Sequence, residues 1–215
     1  MKIYSEIRKS AYDALVANWK PAVLATLVVF VVSWICQGFN MCGGPNGIAS
    51  LSVISFLLTV CVLVPLMYVY SVALFGFYNG YQTDVLKTMI DIFKTKFMRY
   101  WVLSLLVALY TFLWGLLFII PGIIKSYAYS MTPFIAAENP EFGSDECIER
   151  SMKMMYGHKW ELFVLDITFI GWWLLCLVTF GIAALFVHPY NTLAHIEFYK
   201  ELKAEENKEA AAKPL

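Results

Sequence analysis

Between Pro21 and Thr83 there is no Asp, Glu, Lys or Arg, a run of 63 residues. About 20 apolar residues cross a bilayer, and one ionised side chain at its centre costs several kcal/mol, so this run reads as two membrane helices joined by a turn. The spacing predicts helices near 21–38 and 51–76, joined by the polar, turn-forming stretch Gln37 to Ser50, which contains Cys42-Gly43-Gly44-Pro45-Asn46-Gly47. Composition agrees, because 60% of the 215 residues are hydrophobic and only 15% are charged. The 16 basic and 16 acidic residues cancel, which excludes the basic surplus of a nucleic-acid binder and the charged composition of a disordered chain.

Two further windows complete the expectation of an all-α, polytopic bundle of about six spans. Tyr100 to Ile124 carries no charge and is expected to break at Pro121-Gly122. Residues 123–137 follow as a short fourth span or a re-entrant segment, the span being favoured, and Leu162 to Phe198 divides near Gly181 into helices near 160–180 and 182–199. The basic residues lie in 1–20, 84–99, 138–160 and beyond 199, with Lys125 as the exception. That distribution places both termini on the cytoplasmic side of the membrane. The basic leader is read as part of the mature chain rather than a signal peptide, since its apolar run far exceeds a signal core, and no lipidation motif is expected.

Three stretches on that side show helical apolar spacing: Ile3/Tyr4, Ile7, Ala11, Leu15 and Trp19; Leu86, Met89/Ile90, Phe93, Phe97 and Tyr100; Cys147/Ile148, Ser151/Met152 and Met155. Ser144 is expected to cap the third and Gly157 to close it. Each stretch ends at a tryptophan, Trp19, Trp101 or Trp160, as suits an interface anchor. Lys9-Ser10 before Trp19 echoes Arg150-Ser151 before Trp160, and Tyr70-Ser71, Tyr129-Ser130 and Tyr190-Asn191 echo one another. The chain therefore divides into a single transmembrane domain over 1–200, with candidate repeats 1–80, 81–140 and 141–200, and a charged cytoplasmic tail over 201–215.

Few groups in the apolar windows carry chemistry. Asp166 lies six residues beyond Trp160, and reflection about the turn near Gly181 puts His195 at the same depth on the next helix. A proton-titrating or cation-binding pair is one reading; a carboxylate satisfied by Thr168, Asn191 or a neighbouring helix is the plainer one. His188 and His195 are seven apart, so they share a helix face, but no metal-ligand motif accompanies them and no metal or cofactor is expected. Lys125 is expected to be a snorkelling anchor rather than a ligand for an anionic headgroup. The five cysteines show no zinc or redox spacing, although Cys36 and Cys42 flank the first turn and could pair in an oxidising compartment. Phosphate-binding and nucleophile-elbow motifs are absent, so no enzyme is expected.

The stretch Ile120-Pro121-Gly122-Ile123-Ile124-Lys125-Ser126-Tyr127, with Tyr129-Ser130-Met131, Pro133, Ala137-Glu138-Asn139-Pro140 and Arg150-Ser151 through Gly157-His158-Lys159-Trp160, resembles a bacterial integral-membrane family catalogued as domain of unknown function 975. Leu165-Asp166-Ile167, Phe169-Ile170-Gly171-Trp172 and Pro189-Tyr190 through Glu197-Phe198-Tyr199 extend the likeness, whereas 1–100 resembles the family mainly in hydropathy. The same core is similar to the membrane domain attached to some glycerophosphodiester phosphodiesterases. The resemblance implies a polytopic membrane location and no assigned activity. The expected function is a non-enzymatic bundle that binds lipid, a membrane partner or a second copy and organises the membrane; the rival is a small secondary transporter or permease subunit coupled through Asp166 and His195.

Overall fold

The computed structural model describes residues 4–17, 19–42, 49–80 and 84–212, and among these every regular element is helical. The amphipathic α1 (Tyr4–Ala17) precedes a first hairpin. One arm of that hairpin is α2 (Trp19–Cys42); the other runs through α3 (Ala49–Leu58), a π-helical turn (Thr59–Leu63) and α4 (Val64–Tyr78). The widened turn lies just ahead of Pro65, whose missing N–H interrupts the regular helical ladder. The first connection, including Gly43 to Gly47, falls outside the described residues.

The second amphipathic helix, α5 (Val85–Thr95), begins at Asp84, whose carboxylate accepts the Leu86 N–H at 3.1 Å. It ends before Phe97 and Tyr100, which instead open the next helix. The second hairpin pairs α6 (Phe97–Leu117) with α7 (Ile119–Tyr129) and α8 (Thr132–Glu138). Its break falls at Phe118, extended at φ −159° and ψ 142°, three residues earlier than the expected Pro121-Gly122. Pro121 sits in the first turn of α7, where a missing N–H leaves no intrahelical bond unmade. Gly122 allows the arms to touch: a Cβ there would stand 2.8 Å from the Gly115 Cα.

The third amphipathic helix, α9 (Ser144–Met154), is capped by Gly143, so Ser144 is its first residue rather than its cap. Asp145 and Glu146 complement its N-terminal dipole, and Gly157, at φ +90°, closes the exit. The third hairpin comprises α10 (Lys159–Ile167), α11 (Ile170–Val178) and the long α12 (Ala184–Ala212). Its turn holds Phe180 at φ 51° and Gly181 at φ 88°. The charged segment 201–212 is helical and continues α12.

Four stretches of described residues are long and apolar enough to cross a membrane: Trp19–Gly38, Ile54–Tyr78, Phe97–Leu117 and Lys159–Val178. The other two expected segments differ, since 123–137 is shared between α7 and α8 while 182–199 runs from the turn into the partly charged α12. The main core gathers where the amphipathic helices meet the hairpins. Ile7, Ala11 and Leu15 are buried, and Phe75, Phe134 and Tyr199 form an aromatic cluster with centroids 5.6–5.8 Å apart. Exposed apolar side chains run along the arms, as at Leu24, Val31, Val102 and Ile167, and continue to the hairpin ends at Phe118, Ile119, Leu177 and Phe180.

Candidate functional site

Helices α10 and α12 bring the expected pair together, with the His195 Nε2 2.7 Å from the Asp166 Oδ1. Both side chains are only partly buried, at 22% and 27% exposed. Tyr127 of α7 supplies a further hydroxyl to Asp166. Thr168 does not cap the carboxylate; its hydroxyl donates to the Leu165 carbonyl at 2.6 Å.

His188 points to another part of the bundle. Its ring lies edge-on to Tyr70 at 5.2 Å, and the Tyr70 hydroxyl shares a 2.9 Å hydrogen bond with Thr26 of α2 and another with Thr192. The buried His188 Nδ1 and Asn191 Oδ1 have no hydrogen-bond partner among the described residues. Among the described residues, no group of three or more His, Cys, Asp or Glu is arranged to hold a metal. The polar groups thus form a seam, Thr26–Tyr70–His188 and then His195–Asp166–Tyr127, rather than one compact centre.

Lys125 packs between α6 and α9. Its Nζ lies 3.8 Å from the Met152 sulfur of α9 and 4.8 Å from the centroid of the Trp114 ring. Trp19 packs against Phe186 at 6.2 Å, Trp160 is 69% exposed beside Phe163, and Trp101 is half-buried in the first turn of α6. Cys36 is a buried free thiol, while the side chain of Cys42 falls outside the described residues, as does the pairing considered for it. Burial pushes the Cys147 thiol up from its ordinary pKa, which keeps it protonated and poorly nucleophilic.

Sequence reasoning missed a second polar region at the charged end of α12. The Tyr78 hydroxyl donates to the buried Glu197 carboxylate and shares a 3.3 Å bond with Ser10. Glu138 accepts from Tyr199 at 2.8 Å and from Lys203 at 2.5 Å, and Arg150 pairs with Glu206 at 2.6 Å. Arg99 donates to the carbonyls of Ala136, Asn139 and Pro140, closing the end of α8. Two clefts of about 380 and 560 Å³ share Glu138, Asn139 and Lys203. The sequence signal was Glu138-Asn139-Pro140, a helix stop carrying an acid; its partners lie about 60 residues away and could not be paired by periodicity.

Residues 116–206 match the model of a family described as protein of unknown function (DUF975). That span contains the motifs on which the resemblance was drawn from 120 to 199, the Asp166–His195 bond and Glu138. It leaves α1 to α5 and most of α6 unmatched, in line with the weaker likeness of 1–100. Neither the curated proteins nor the solved structures compared with the chain give a significant match.

Proposed function

We propose that the protein is a non-enzymatic, lipid-binding organiser of the bacterial inner membrane, with both termini on the cytoplasmic side and three parallel repeats of amphipathic helix plus hairpin. The observation that carries this reading is an apolar groove of about 400 Å³ between α1, α11 and α12, lined by Tyr12, Leu15, Trp19, Trp172, Phe186 and Val187. It has room for an acyl chain, and Arg8 and Lys9 on α1 supply positive charge for an anionic headgroup. Basic residues segregated to one set of segments support the orientation, and the order of helices supports the repeats. Native mass spectrometry of the protein extracted in mild detergent tests the reading. Retained phospholipid, reduced when Val187→Trp fills the groove, is expected; a lipid-free chain of unchanged mass contradicts it.

The Asp166–His195 bond favours a second reading, a small proton-coupled transporter or permease subunit. An imidazole–carboxylate pair with a tyrosine beside it has groups that can load and release a proton. Solute flux in vesicles that depends on pH and disappears with Asp166→Asn would displace the lipid-organising proposal; absence of flux together with retained lipid supports it.

A further inference from the structure

The three hairpins differ in how much uncharged chain they offer the bilayer. The first has 63 consecutive residues without Asp, Glu, Lys or Arg; the second has 25, from Tyr100 to Ile124, and the third has 30, from Ile167 to His195 and Ile196. Two crossings of a hydrocarbon core about 30 Å thick take about 40 residues before any turn is counted. Only the first hairpin meets that length without placing a charge in the membrane.

The packing gives the same answer. In the third hairpin, α1 brings its exposed Glu6, Lys9 and Asp13 alongside α12. The Tyr190 hydroxyl donates to the Arg8 carbonyl at 3.2 Å, and Tyr12 meets the Tyr190 ring at 6.0 Å. Tyr190 is nine residues beyond Gly181, which at helical rise puts the charged face of α1 only about 14 Å above the hairpin end. In the second hairpin, the Tyr110 hydroxyl donates to the Asp145 carboxylate of α9 at 3.5 Å. Tyr110 precedes the Phe118 break by eight residues, about 12 Å, and Lys125 follows it by seven, about 10 Å. Those depths match one leaflet of hydrocarbon, about 15 Å. By contrast α2 runs from Lys20 to Cys42 without a further charge, about 33 Å.

We infer that the chain crosses the bilayer only with its first hairpin, and that the second and third hairpins are wedges whose ends stop near the bilayer midplane among the acyl chains of the cytoplasmic leaflet. Their ends are built for that occupant. Phe180 is 98% exposed and held in a left-handed conformation that a bulky side chain rarely adopts, with Leu177, Val178 and Ile182 exposed around it. Phe118, Ile119 and Ile120 form the other end, on arms packed glycine to glycine. Wedges entering one leaflet expand it relative to the other, which makes the protein sensitive to curvature and lipid packing. An even number of crossings is kept, so the termini stay on one side.

The inference rests on the membrane setting of the proposed function but not on lipid retention in the groove. Its test is the depth of nitroxide labels in the full-length protein reconstituted into phosphatidylcholine–phosphatidylglycerol vesicles, read from collision with oxygen and with a water-soluble nickel chelate. Phe118→Cys, Phe180→Cys and Gly47→Cys are introduced singly after the five native cysteines are replaced. Labels at 118 and 180 within about 5 Å of the midplane, with the label at 47 at headgroup depth, are expected. A headgroup-depth label at 118 or 180 overturns the wedges; a label at 47 freely in water, far from either headgroup layer, overturns the membrane setting itself. Should the cysteine-free background not fold, the same substitutions in the wild-type chain are mapped by impermeant maleimide and site-resolved mass spectrometry. Labelling of 47 from one face, and of 118 and 180 from neither, is then expected; labelling of 118 or 180 from the same face as 47 contradicts the inference.

Discussion

The first hairpin and the third are both long, apolar and preceded by an amphipathic helix, yet they treat charge differently. Beyond Lys20 the first hairpin runs through α2 with no ionisable carboxylate, amine or guanidinium; the 2.7 Å bond from Ser55 to the Cys36 carbonyl joins its own arms, and it meets a charged group only at the far end of α4, where Tyr78 donates to Glu197. The third carries an imidazole–carboxylate bond along its arms and has α1 laid against its upper half. Length and hydropathy alone do not separate them, since a helix from each is able to span. The level at which charged neighbours pack against the arms does separate them, because that level marks where water begins.

The largest effect expected from breaking this contrast is that of Phe180→Lys. A lysine at the midplane costs about 3 kcal/mol, roughly a hundredfold in the insertion equilibrium, whereas one emerging among far headgroups costs little. Protease protection of the third hairpin in vesicles reads the difference, and the wedge geometry predicts its loss. Next is Gly122→Val, which drives a side chain into the Gly115 backbone and is expected to destabilise the second hairpin by about 2–3 kcal/mol in detergent unfolding. Gly38→Ala in the first hairpin meets nothing within 4 Å and is expected to change stability by less than about 1 kcal/mol.

Tyr78→Phe removes the bond that ties the end of the first hairpin to Glu197 on α12. Leaving that buried carboxylate one donor short is expected to cost about 2 kcal/mol, seen as a lower unfolding midpoint. Asp166→Asn, at a partly buried pair, is expected to cost about 1 kcal/mol and to leave the first hairpin unaffected. The smallest effect concerns the water-facing side of α9. Lys153 holds the exposed Glu149 carboxyl below its ordinary pKa. A depressed folded pKa contributes stability above the unfolded value and loses it as pH falls through the folded one. Lys153→Ala should therefore move the Glu149 titration upward by NMR with no measurable change in unfolding midpoint, because the pair is exposed.

Much of the helical framework was legible because the bilayer penalises charge so strongly. The uncharged windows located the hairpins, and reflection about Gly181 placed His195 opposite Asp166, since two antiparallel helices leaving one turn keep equal depth. Boundaries were less legible. Proline at 121 suggested a break, but a proline in a first turn leaves no bond unmade, so the chain bends at Phe118 instead. The position of Lys125 against Met152 depends on how α9 packs, which no local spacing encodes. Glu138 with Lys203, and Tyr78 with Glu197, were invisible for the same reason, being joined only when the ends of distant helices converge.

A density map of the full-length protein in a lipid nanodisc tests the central claim most directly, because it shows the helices and both headgroup layers together. The account predicts that the first hairpin reaches the far headgroup layer while the ends at Phe118 and Phe180 stop about 15 Å short of it. All three hairpins reaching that layer would contradict it.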